Sequence, residues 1–373
     1  MPMIFIDFHF KKIFNKEIWE DFMNTMDNLD EAPIFKFINP NSNDKLLKLA
    51  GSKEELLRLL NHNFYLQLKN NLNLDKNISL GLEIEVEHSG IIQVKKQFFD
   101  NDVSDAWQVI HDWTLKDGVE IKSPILVSSE KNWQDLKRVC ELLEPISLID
   151  QRCGGHIHIG AHILKDNPEA WLNFIKLWSV YENIIFRFSY GDWLSARKSL
   201  LKYAKPMSIY FWSDYLKLKK ENASLEQIIS RLSRSKYQSV NFCNVKLDSA
   251  GLSLKNTIEF RCPNGTLIPE VWQNNVNFFA SILNYCQSSS FDDDIVSKRY
   301  EDNKSNHLNL KTYDAINLEQ ALELSDMIFN VNLDKLYFLK QYLKSLEIYQ
   351  KSKDVPKLCV LTKVTKSKNN MTH

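Results

Sequence analysis

The sequence has no excess of charge of either sign. Its 373 residues include 47 Lys plus Arg and 47 Asp plus Glu, so the formal net charge at pH 7 is zero. Proteins that bind nucleic acid or anionic membranes over a broad surface usually carry a basic excess there. The balance argues against general nucleic-acid or membrane binding, although it leaves room for a local basic patch.

Long apolar runs and a cysteine framework are missing as well. No uninterrupted apolar segment approaches the roughly 20 residues that a membrane-spanning helix needs. The short apolar run Ile4–Phe10 is interrupted by Asp7 and His9, and no basic segment or cleavage site frames it as a secretory signal. The six cysteines are scattered without a Cys-x-x-Cys pair, which is typical of reduced thiols. We expect a soluble, cytoplasmic protein.

The chain is long enough for one large domain with an appendage, since 44% of its residues are hydrophobic. We predict an N-terminal extension or small subdomain over residues 1–75, with one helix beginning near Ser52. The main domain is predicted to follow over 76–348, with a helical C-terminal part over 313–348. Residues 349–373 are rich in Lys and Ser and predict a flexible tail.

Helical periodicity is strongest in Pro168–Phe188, whose aromatic stripe favours core packing over a cofactor site. Further helices are predicted at Asp135–Leu143, Val271–Cys286, Leu318–Phe329 and Leu333–Leu346. Polar residues 288–312 predict a mobile connection.

Four other segments alternate apolar and polar residues, and each predicts a strand with one apolar and one polar face. Along Leu80–Glu87, for example, every second residue is apolar. The polar pairs on the four strands are Glu83/Glu85, Glu120/Lys122, His156/His158 and Glu259/Arg261.

Carboxylates grouped on one sheet face repel one another, and burying them without compensation costs free energy. A solvent-exposed sheet face would explain any single pair of polar residues, but the selective set of residue types in all four pairs favours a functional site. Oxygen ligands with one imidazole suit Mg²⁺ or Mn²⁺, and a nearby arginine suits phosphate or a developing oxyanion. The residues alone indicate a divalent-metal site for phosphoryl or acyl chemistry.

Five groups of short motifs follow one another along the chain. They are Gly81–Glu85, then Asp112–Thr114 with Gly118–Pro124, then Cys153–His158, then Lys236–Asn241, and finally Glu259–Arg261 with Gly265 and Thr266. In this order they resemble the amidoligase family of the glutamine synthetase and glutamate–cysteine ligase superfamily. The resemblance spans roughly residues 78–345. Trp113 and Thr114 depart from the glycine and serine that the family often shows there.

The resemblance implies an α+β fold like the glutamine synthetase catalytic domain. Such a fold has a curved, mostly antiparallel sheet with helices on its convex face, here followed by C-terminal helices. It also implies that ATP and two or three Mg²⁺ (or Mn²⁺) ions bind on the concave face. The partners would be a carboxylate acceptor and an amine donor, each a small molecule, a peptide or a protein side chain. A homo-oligomer is also conceivable.

The resemblance further implies roles for individual residues. Glu83 and Glu85 would be split between two ions, Glu120 would join the ion nearer the acceptor, and His156 and Glu259 would share the ion that bridges the phosphates. The implied metal ligands are thus Glu83, Glu85, Glu120, His156 and Glu259. The implied catalytic residues are Arg261, His158, Glu120 and Lys236. The implied nucleotide-binding residues are Arg261, Lys122, Asn241 and Arg197.

The implied reaction is ATP-dependent formation of an amide or isopeptide bond through an acyl phosphate. Its general base stays open among Glu120, Asp112 and Glu87. Three alternatives also stay open: a kinase of the same fold, a zinc hydrolase that uses His156 and His158, and an inactive relative that serves as a binding module.

Overall fold

The computed structural model of the protein describes residues 65–248, 251–252, 256–303 and 317–343. One compact unit is Leu68–Gln320, and another contains the described residues that precede Leu68 or follow Gln320. The short apolar run Ile4–Phe10, the predicted helix near Ser52 and the predicted tail 349–373 lie outside the described residues. The predicted domain boundaries stay predictions.

Eight strands and ten helices are defined among the described residues. The strands are β1 (Leu80–Val86), β2 (Gln108–His111), β3 (Val119–Lys122), β4 (Gly155–Gly160), β5 (Val240–Asn241), β6 (Leu247–Asp248), β7 (Gly251–Leu252) and β8 (Thr257–Phe260). The helices are α1 (Ile91–Asp100), α2 (Glu130–Leu143), α3 (Pro168–Ser189), α4 (Leu200–Tyr203), α5 (Ser208–Lys220), α6 (Leu225–Leu232), α7 (Pro269–Gln287), α8 (Asp293–Asn303), α9 (Leu318–Ile328) and α10 (Asn332–Leu343). A 3₁₀ turn, Ala161–Leu164, follows β4.

Six strands form one open sheet in the order β2-β3-β1-β4-β8-β5, and every pairing in it is antiparallel. Strands β6 and β7 form a separate two-stranded sheet. Together with the helices, this sheet confirms the predicted α+β fold class. None of the described helices combines the length and apolarity needed to cross a bilayer.

The apolar face of the sheet is covered by helices α3 and α7. The ring of Phe260 on β8 lies 5.8 Å from that of Trp178 on α3 and 4.2 Å from that of Phe279 on α7, measured between centroids. All three side chains are buried. Each buried aromatic side chain of this kind contributes about 1.5–3 kcal/mol. Because these contacts use one face of the sheet, the alternation of each strand leaves its polar residues on the other.

Helix α3 confirms that the aromatic stripe is core. It begins with Pro168 at its first turn, and the side chain of Asn167 accepts a hydrogen bond from the backbone N–H of Glu169. Its aromatic residues Trp171, Phe174 and Trp178 are all fully buried.

The prediction of a mobile connection over 288–312 is wrong for Asp293–Asn303, which form helix α8. Buried Lys176 of α3 donates hydrogen bonds to the Asp293 carbonyl oxygen and to Ser297 Oγ, at 3.0 and 2.6 Å, and pairs with the Asp293 carboxylate. This tertiary anchor, together with acidic residues in the first turn, stabilises a helix whose composition is polar. Residues 304–312 lie outside the described part of the chain.

A fully buried carboxylate, Glu182 of α3, joins three parts of the fold. It accepts hydrogen bonds from the backbone N–H groups of Met207 and Ser208, both at 2.7 Å, which cap the start of α5. Trp178 Nε1 and Ser239 Oγ donate to it at 2.8 and 3.0 Å. Burial raises the pKa of Glu182, although these hydrogen bonds oppose the shift.

Replacing Glu182 should test this anchor. In Glu182→Ala, four donors lose their acceptor in a buried place, so we expect the free energy of unfolding to fall by about 3–5 kcal/mol. Urea unfolding of the purified chain would measure the change. The control is Glu226→Ala, which removes an exposed carboxylate on α6 and should cost under about 1 kcal/mol. A similar small loss in both variants would contradict the anchoring role.

Candidate active site

The register of the central strands aligns the polar side chains in rows. Residues that face each other on neighbouring strands have their side chains on the same face of the sheet. Glu83 of β1 lies opposite Lys122 of β3 on one side and opposite His156 of β4 on the other. Glu85 lies opposite Glu120. The acids of β1 therefore occupy the middle of the polar face.

A second row crosses the other half of the face. His158 of β4 lies opposite Gly81 of β1 and opposite Glu259 of β8, and Glu259 in turn faces Asn241 of β5. The structure thus brings together the polar pairs that the sequence places on four separate strands.

Two carboxylates and an imidazole form the first trio: Glu83, His156 and Glu259. The Nδ1 atom of His156 lies 2.9 Å from Glu83 Oε2 and 3.6 Å from Glu259 Oε1. One potential ligand atom from each residue lies within 4.8 Å of the others, and His156 and Glu259 are buried.

The second trio consists of Glu85, Glu120 and His156, whose ligand atoms also lie within 4.8 Å of one another. Here the other ring nitrogen of His156, Nε2, lies 3.4 Å from Glu85 Oε1. The single imidazole is therefore shared between the two trios, with one nitrogen directed toward each.

The donor set fits a hard divalent cation better than zinc. Four carboxylates and one imidazole surround this position, whereas structural and catalytic zinc sites rely on several histidines or cysteines. No trio of this kind among the described residues contains His158. The geometry therefore gives no support to a zinc site built on both His156 and His158.

The cations on this face are already paired with its acids. Lys122 Nζ lies 2.8 Å from Glu83 Oε1 and 3.3 Å from Glu120 Oε2. Arg261 Nη1 pairs with Glu259 Oε1. Two side-chain cations thus contact a group of four carboxylates, and a divalent cation would supply the positive charge that balances the rest.

The electrostatic environment separates the acids into two kinds. Burial, followed by the neighbouring Glu83, raises the pKa of Glu120 to about 8. Burial also opposes ionisation of Glu83 and Glu259, but the nearby His156 and His158 hold the pKa of both carboxyls below the usual range. Glu120 is therefore the acid that holds a proton near neutral pH in the metal-free protein.

His158 lies beside a cleft rather than within either trio. Its Nδ1 lies 3.1 Å from Thr257 Oγ1, and its buried Nε2 lies 3.4 Å from Glu83 Oε1 of the first trio. The adjoining cavity has a volume of about 190 Å³ and is lined in part by Gly81, Lys122, Thr257 and His158, with Ile125 on its wall. A Cβ atom at Gly81 would lie 3.3 Å from His158 Cβ, so the glycine keeps the floor of this cleft open.

Arg197 is fully buried behind the trios. Its guanidinium donates hydrogen bonds to the carbonyl oxygens of Arg261, at 2.8 Å, and of Pro263. A Cβ atom at Gly154 would lie 3.1 Å from both Arg197 Cζ and His156 Nε2, which explains the glycine there. Arg197 thus holds the chain that follows β8, and its nucleotide-binding role stays a prediction.

Asn241 and Lys236 have different surroundings. Asn241 Nδ2 donates a hydrogen bond of 2.6 Å to Glu259 Oε2 and so belongs to the first trio's immediate environment. Lys236 is exposed in a turn before β5, where its Nζ lies 5.3 Å from the centre of the Tyr237 ring. Its predicted catalytic role stays a prediction.

The remaining general-base candidates are held by local hydrogen bonds. Glu87 is buried and accepts from the backbone N–H of Lys116 at 2.7 Å and from Arg152. Burial raises its pKa. Asp112 accepts from the backbone N–H of Thr114 at 2.7 Å.

Sequence reasoning missed two contributors to the site. Thr257 orients His158 and stands two residues before Glu259, so the strand alternation carries a signal for it. The carbonyl oxygen of Tyr203 accepts a hydrogen bond of 3.2 Å from Arg261 Nε. A backbone contact of this kind has no signature in the sequence.

An α+β fold that presents two carboxylate–imidazole trios on one open sheet face defines a candidate metal-dependent enzyme. The profile of the family described as "Putative amidoligase enzyme" matches residues 95–283, just over half of the chain. The chain belongs to this amidoligase family, as its motifs predicted. The match begins after β1, yet the structure pairs β1 with β3 and β4, which lie inside it.

Comparison with solved structures gives further likenesses. A crystal structure described as that of a novel glutamine synthase homolog is 11% identical, with a TM-score of 0.35. The likeness covers 72% of this chain and 66% of that one, so this chain spans about two thirds of its length. No curated protein matches the sequence.

The raised pKa of Glu120 predicts a pH effect on stability. The Glu120 carboxyl binds its proton more tightly in the folded protein than in the unfolded chain. Its contribution to the free energy of unfolding is therefore fully present below a pH of about 4.5 and is lost as the pH rises through about 8. Between about pH 5 and pH 8.5, metal-free protein should lose about 2–4 kcal/mol of unfolding free energy that Glu120→Gln retains.

Urea unfolding at the two pH values, with a chelator present, would measure this difference. The control is Glu141→Gln on the exposed surface of α2, which should keep the wild-type pH dependence. An unchanged pH dependence in Glu120→Gln would show that this carboxyl titrates normally.

Proposed function

We propose that the protein is an ATP-dependent carboxylate–amine ligase that works through an acyl phosphate and divalent metal ions. The observation that carries the proposal is the pair of carboxylate trios that share His156 beside an open cleft. Family membership supports a carboxylate acceptor and an amine donor as substrates. The product would be an amide or isopeptide bond, with ADP and phosphate released.

In this proposal Mg²⁺ or Mn²⁺ ions are held by the two trios. Glu83, His156 and Glu259 would hold one ion, and Glu85 with Glu120 would hold another. When bound, such ions supply charge neutralisation at phosphate oxygens. Binding to Glu120 requires loss of its proton, so metal affinity should increase with pH.

The cleft next to His158 is the proposed nucleotide subsite. It adjoins the first trio through Glu83 and brings Lys122 and His158 to one position, where both can meet phosphate oxygens. Ile125, whose side chain is 75% exposed, offers an apolar surface to the base. Asn241 and Arg197 would act indirectly, by holding Glu259 and the chain around Arg261.

In the first step an oxygen of the acceptor carboxylate attacks the γ-phosphorus, and the bond from that phosphorus to ADP breaks. Arg261 lies at the first trio and can direct its guanidinium to the equatorial oxygens of the transferring group. To do so it must share or leave its pairing with Glu259. His158, whose Nε2 lies 3.4 Å from Glu83 Oε1 beside the cleft, can donate a hydrogen bond to the same group once an ion holds Glu83.

In the second step the amine attacks the acyl carbon, and phosphate leaves with its bonding electron pair. Because a carboxylate has a poor leaving group and an acyl phosphate a good one, the first step makes the second feasible. The attacking amine must also lose a proton. Glu87, whose pKa is raised by burial and which belongs to neither trio, is the candidate acceptor, because Glu120 would be occupied by an ion.

The reaction itself can be tested with pooled substrates. Incubation with ATP, Mg²⁺ and pools of carboxylates and amines should release ADP in at least one pool. Glu259→Ala removes an acid of the first trio and should lower that rate at least about a hundredfold. Glu226→Ala on α6 serves as the matched control and should keep the wild-type rate.

Two outcomes would contradict the proposal. One is that wild type releases no more ADP than Glu259→Ala in any pool. The other is a phosphorylated product that accumulates without amide, which would indicate a kinase.

The two histidines should behave unequally. His156→Ala removes the imidazole that both trios share, so we expect Mg²⁺-dependent ATP binding to weaken at least about tenfold. His158→Ala should spare metal binding and slow turnover, because this side chain borders the cleft. Calorimetry with a non-hydrolysable ATP analogue measures the first effect and ADP release the second. Equal loss of metal in both variants would favour a shared zinc site instead.

A further inference from the structure

A basic and aromatic surface, here called the rim, lies beyond the β5 edge of the sheet. It consists of Lys202, Tyr203, Lys205, Lys236 and Tyr237. Two short segments run side by side there, because Lys205 N–H donates a hydrogen bond of 3.0 Å to the Tyr237 carbonyl oxygen. Lys205 also forms an isolated parallel bridge with Gln238. The backbone therefore holds the five residues in one surface.

The positive charge of the rim is uncompensated. Lys202, Lys205 and Lys236 are all exposed, and none of them pairs with a carboxylate among the described residues. Nearby cations differ in this respect, since Arg231 and Arg234 both pair with buried Asp214. In a chain whose charges balance overall, this concentration of unpaired lysines is a local exception.

The tyrosines form the centre of the rim. Their ring centroids are 6.1 Å apart, and Tyr237 is 44% exposed. Lys202 Nζ lies 4.7 Å from the centre of the Tyr203 ring, and Lys236 Nζ lies 5.3 Å from that of Tyr237. Cation–π contacts of this kind hold the ammonium groups over the rings while leaving them open to solvent.

The rim is continuous with the candidate active site. Arg261 Nε donates to the carbonyl oxygen of Tyr203, and the same guanidinium pairs with Glu259 of the first trio. The rim therefore adjoins the guanidinium group that is proposed to contact the transferring phosphoryl group.

We propose that the rim docks an acidic polypeptide and that this polypeptide supplies the carboxylate acceptor. The inference rests on the proposed ligase function, because that function requires a carboxylate at the trios. Repeated carboxylates on an extended chain match the three exposed lysines, and the exposed ring of Tyr237 can cover the aliphatic parts of its side chains. A polypeptide, unlike a free amino acid, carries several carboxylates, so that some can contact the lysines while another lies at the trios.

Nucleic acid is the less suitable polyanion for this surface. A nucleic-acid site usually extends over a broad basic face, whereas this patch has three lysines in a chain of zero net charge. A nucleic acid also lacks the carboxylate on which the proposed reaction acts. The acceptor class that fits both observations is an acidic peptide or an acidic segment of a protein.

Binding of a labelled oligoglutamate peptide to the intact chain, measured by fluorescence anisotropy without nucleotide, tests the inference. Oligoglutamine of the same length and a single-stranded RNA are the comparison ligands. The rim variant is Lys202→Glu with Lys236→Glu. Its control is Lys95→Glu with Lys131→Glu, which changes the net charge equally on helices α1 and α2.

We expect oligoglutamate to bind more tightly than oligoglutamine, and we expect its affinity to fall as the salt concentration is raised. The substitutions in the rim variant should weaken oligoglutamate binding at least about tenfold, and those in the control variant should weaken it less than about twofold. Equal weakening by both variants, no preference over oligoglutamine, or tighter binding of the RNA would overturn the inference.

The two proposals can fail separately. If oligoglutamate binds at the rim but no carboxylate, whether an acidic peptide or a small molecule, stimulates ADP release, the docking surface stands and the ligase function fails. If ADP is released with small acceptors while oligoglutamate does not bind, the ligase function stands and the docking surface fails.

Discussion

Repulsion among Glu83, Glu85, Glu120 and Glu259 is the constraint on which the rest of this structure depends. The antiparallel register brings these acids together, and burial makes their charges more costly. Within the described chain, Lys122 and Arg261 offset part of that charge, and Glu120 offsets another part by holding a proton. A divalent cation would balance the remainder. The site is thus stable in the fold but electrostatically suited to bind more positive charge.

The surrounding architecture keeps this arrangement in place. Helices α3 and α7 pack on the apolar side of the sheet, so the strands cannot turn their acids away from one another. Glu182 fixes Ser239, whose carbonyl oxygen accepts a hydrogen bond from the backbone N–H of Arg261. A side chain at position 154 would crowd both Arg197 and His156, so Gly154 leaves both in place. Glu182, which lies outside the site, thus helps to position Arg261 within it.

Strand alternation explains why much of the site could be predicted from sequence. A period of two places Glu83 with Glu85 and His156 with His158 on one face, and only the site face of each strand is polar. The alternation does not specify which residues face each other on neighbouring strands. The sharing of His156 between two trios is therefore seen only in the structure. Helix α8 and the Arg261–Tyr203 contact depend on long-range partners, a buried lysine and a backbone carbonyl, which leave no local pattern.

Counting bound Mn²⁺ by electron paramagnetic resonance tests the central claim most directly, because free Mn²⁺ gives a signal that coordination broadens. Titrations of the intact chain with a non-hydrolysable ATP analogue should reveal two ions. Glu85→Gln should lose one of them, and Glu259→Gln should lose the other. Binding of no Mn²⁺, or of ions that both substitutions leave unchanged, would contradict the account of a sheet face organised around divalent metal.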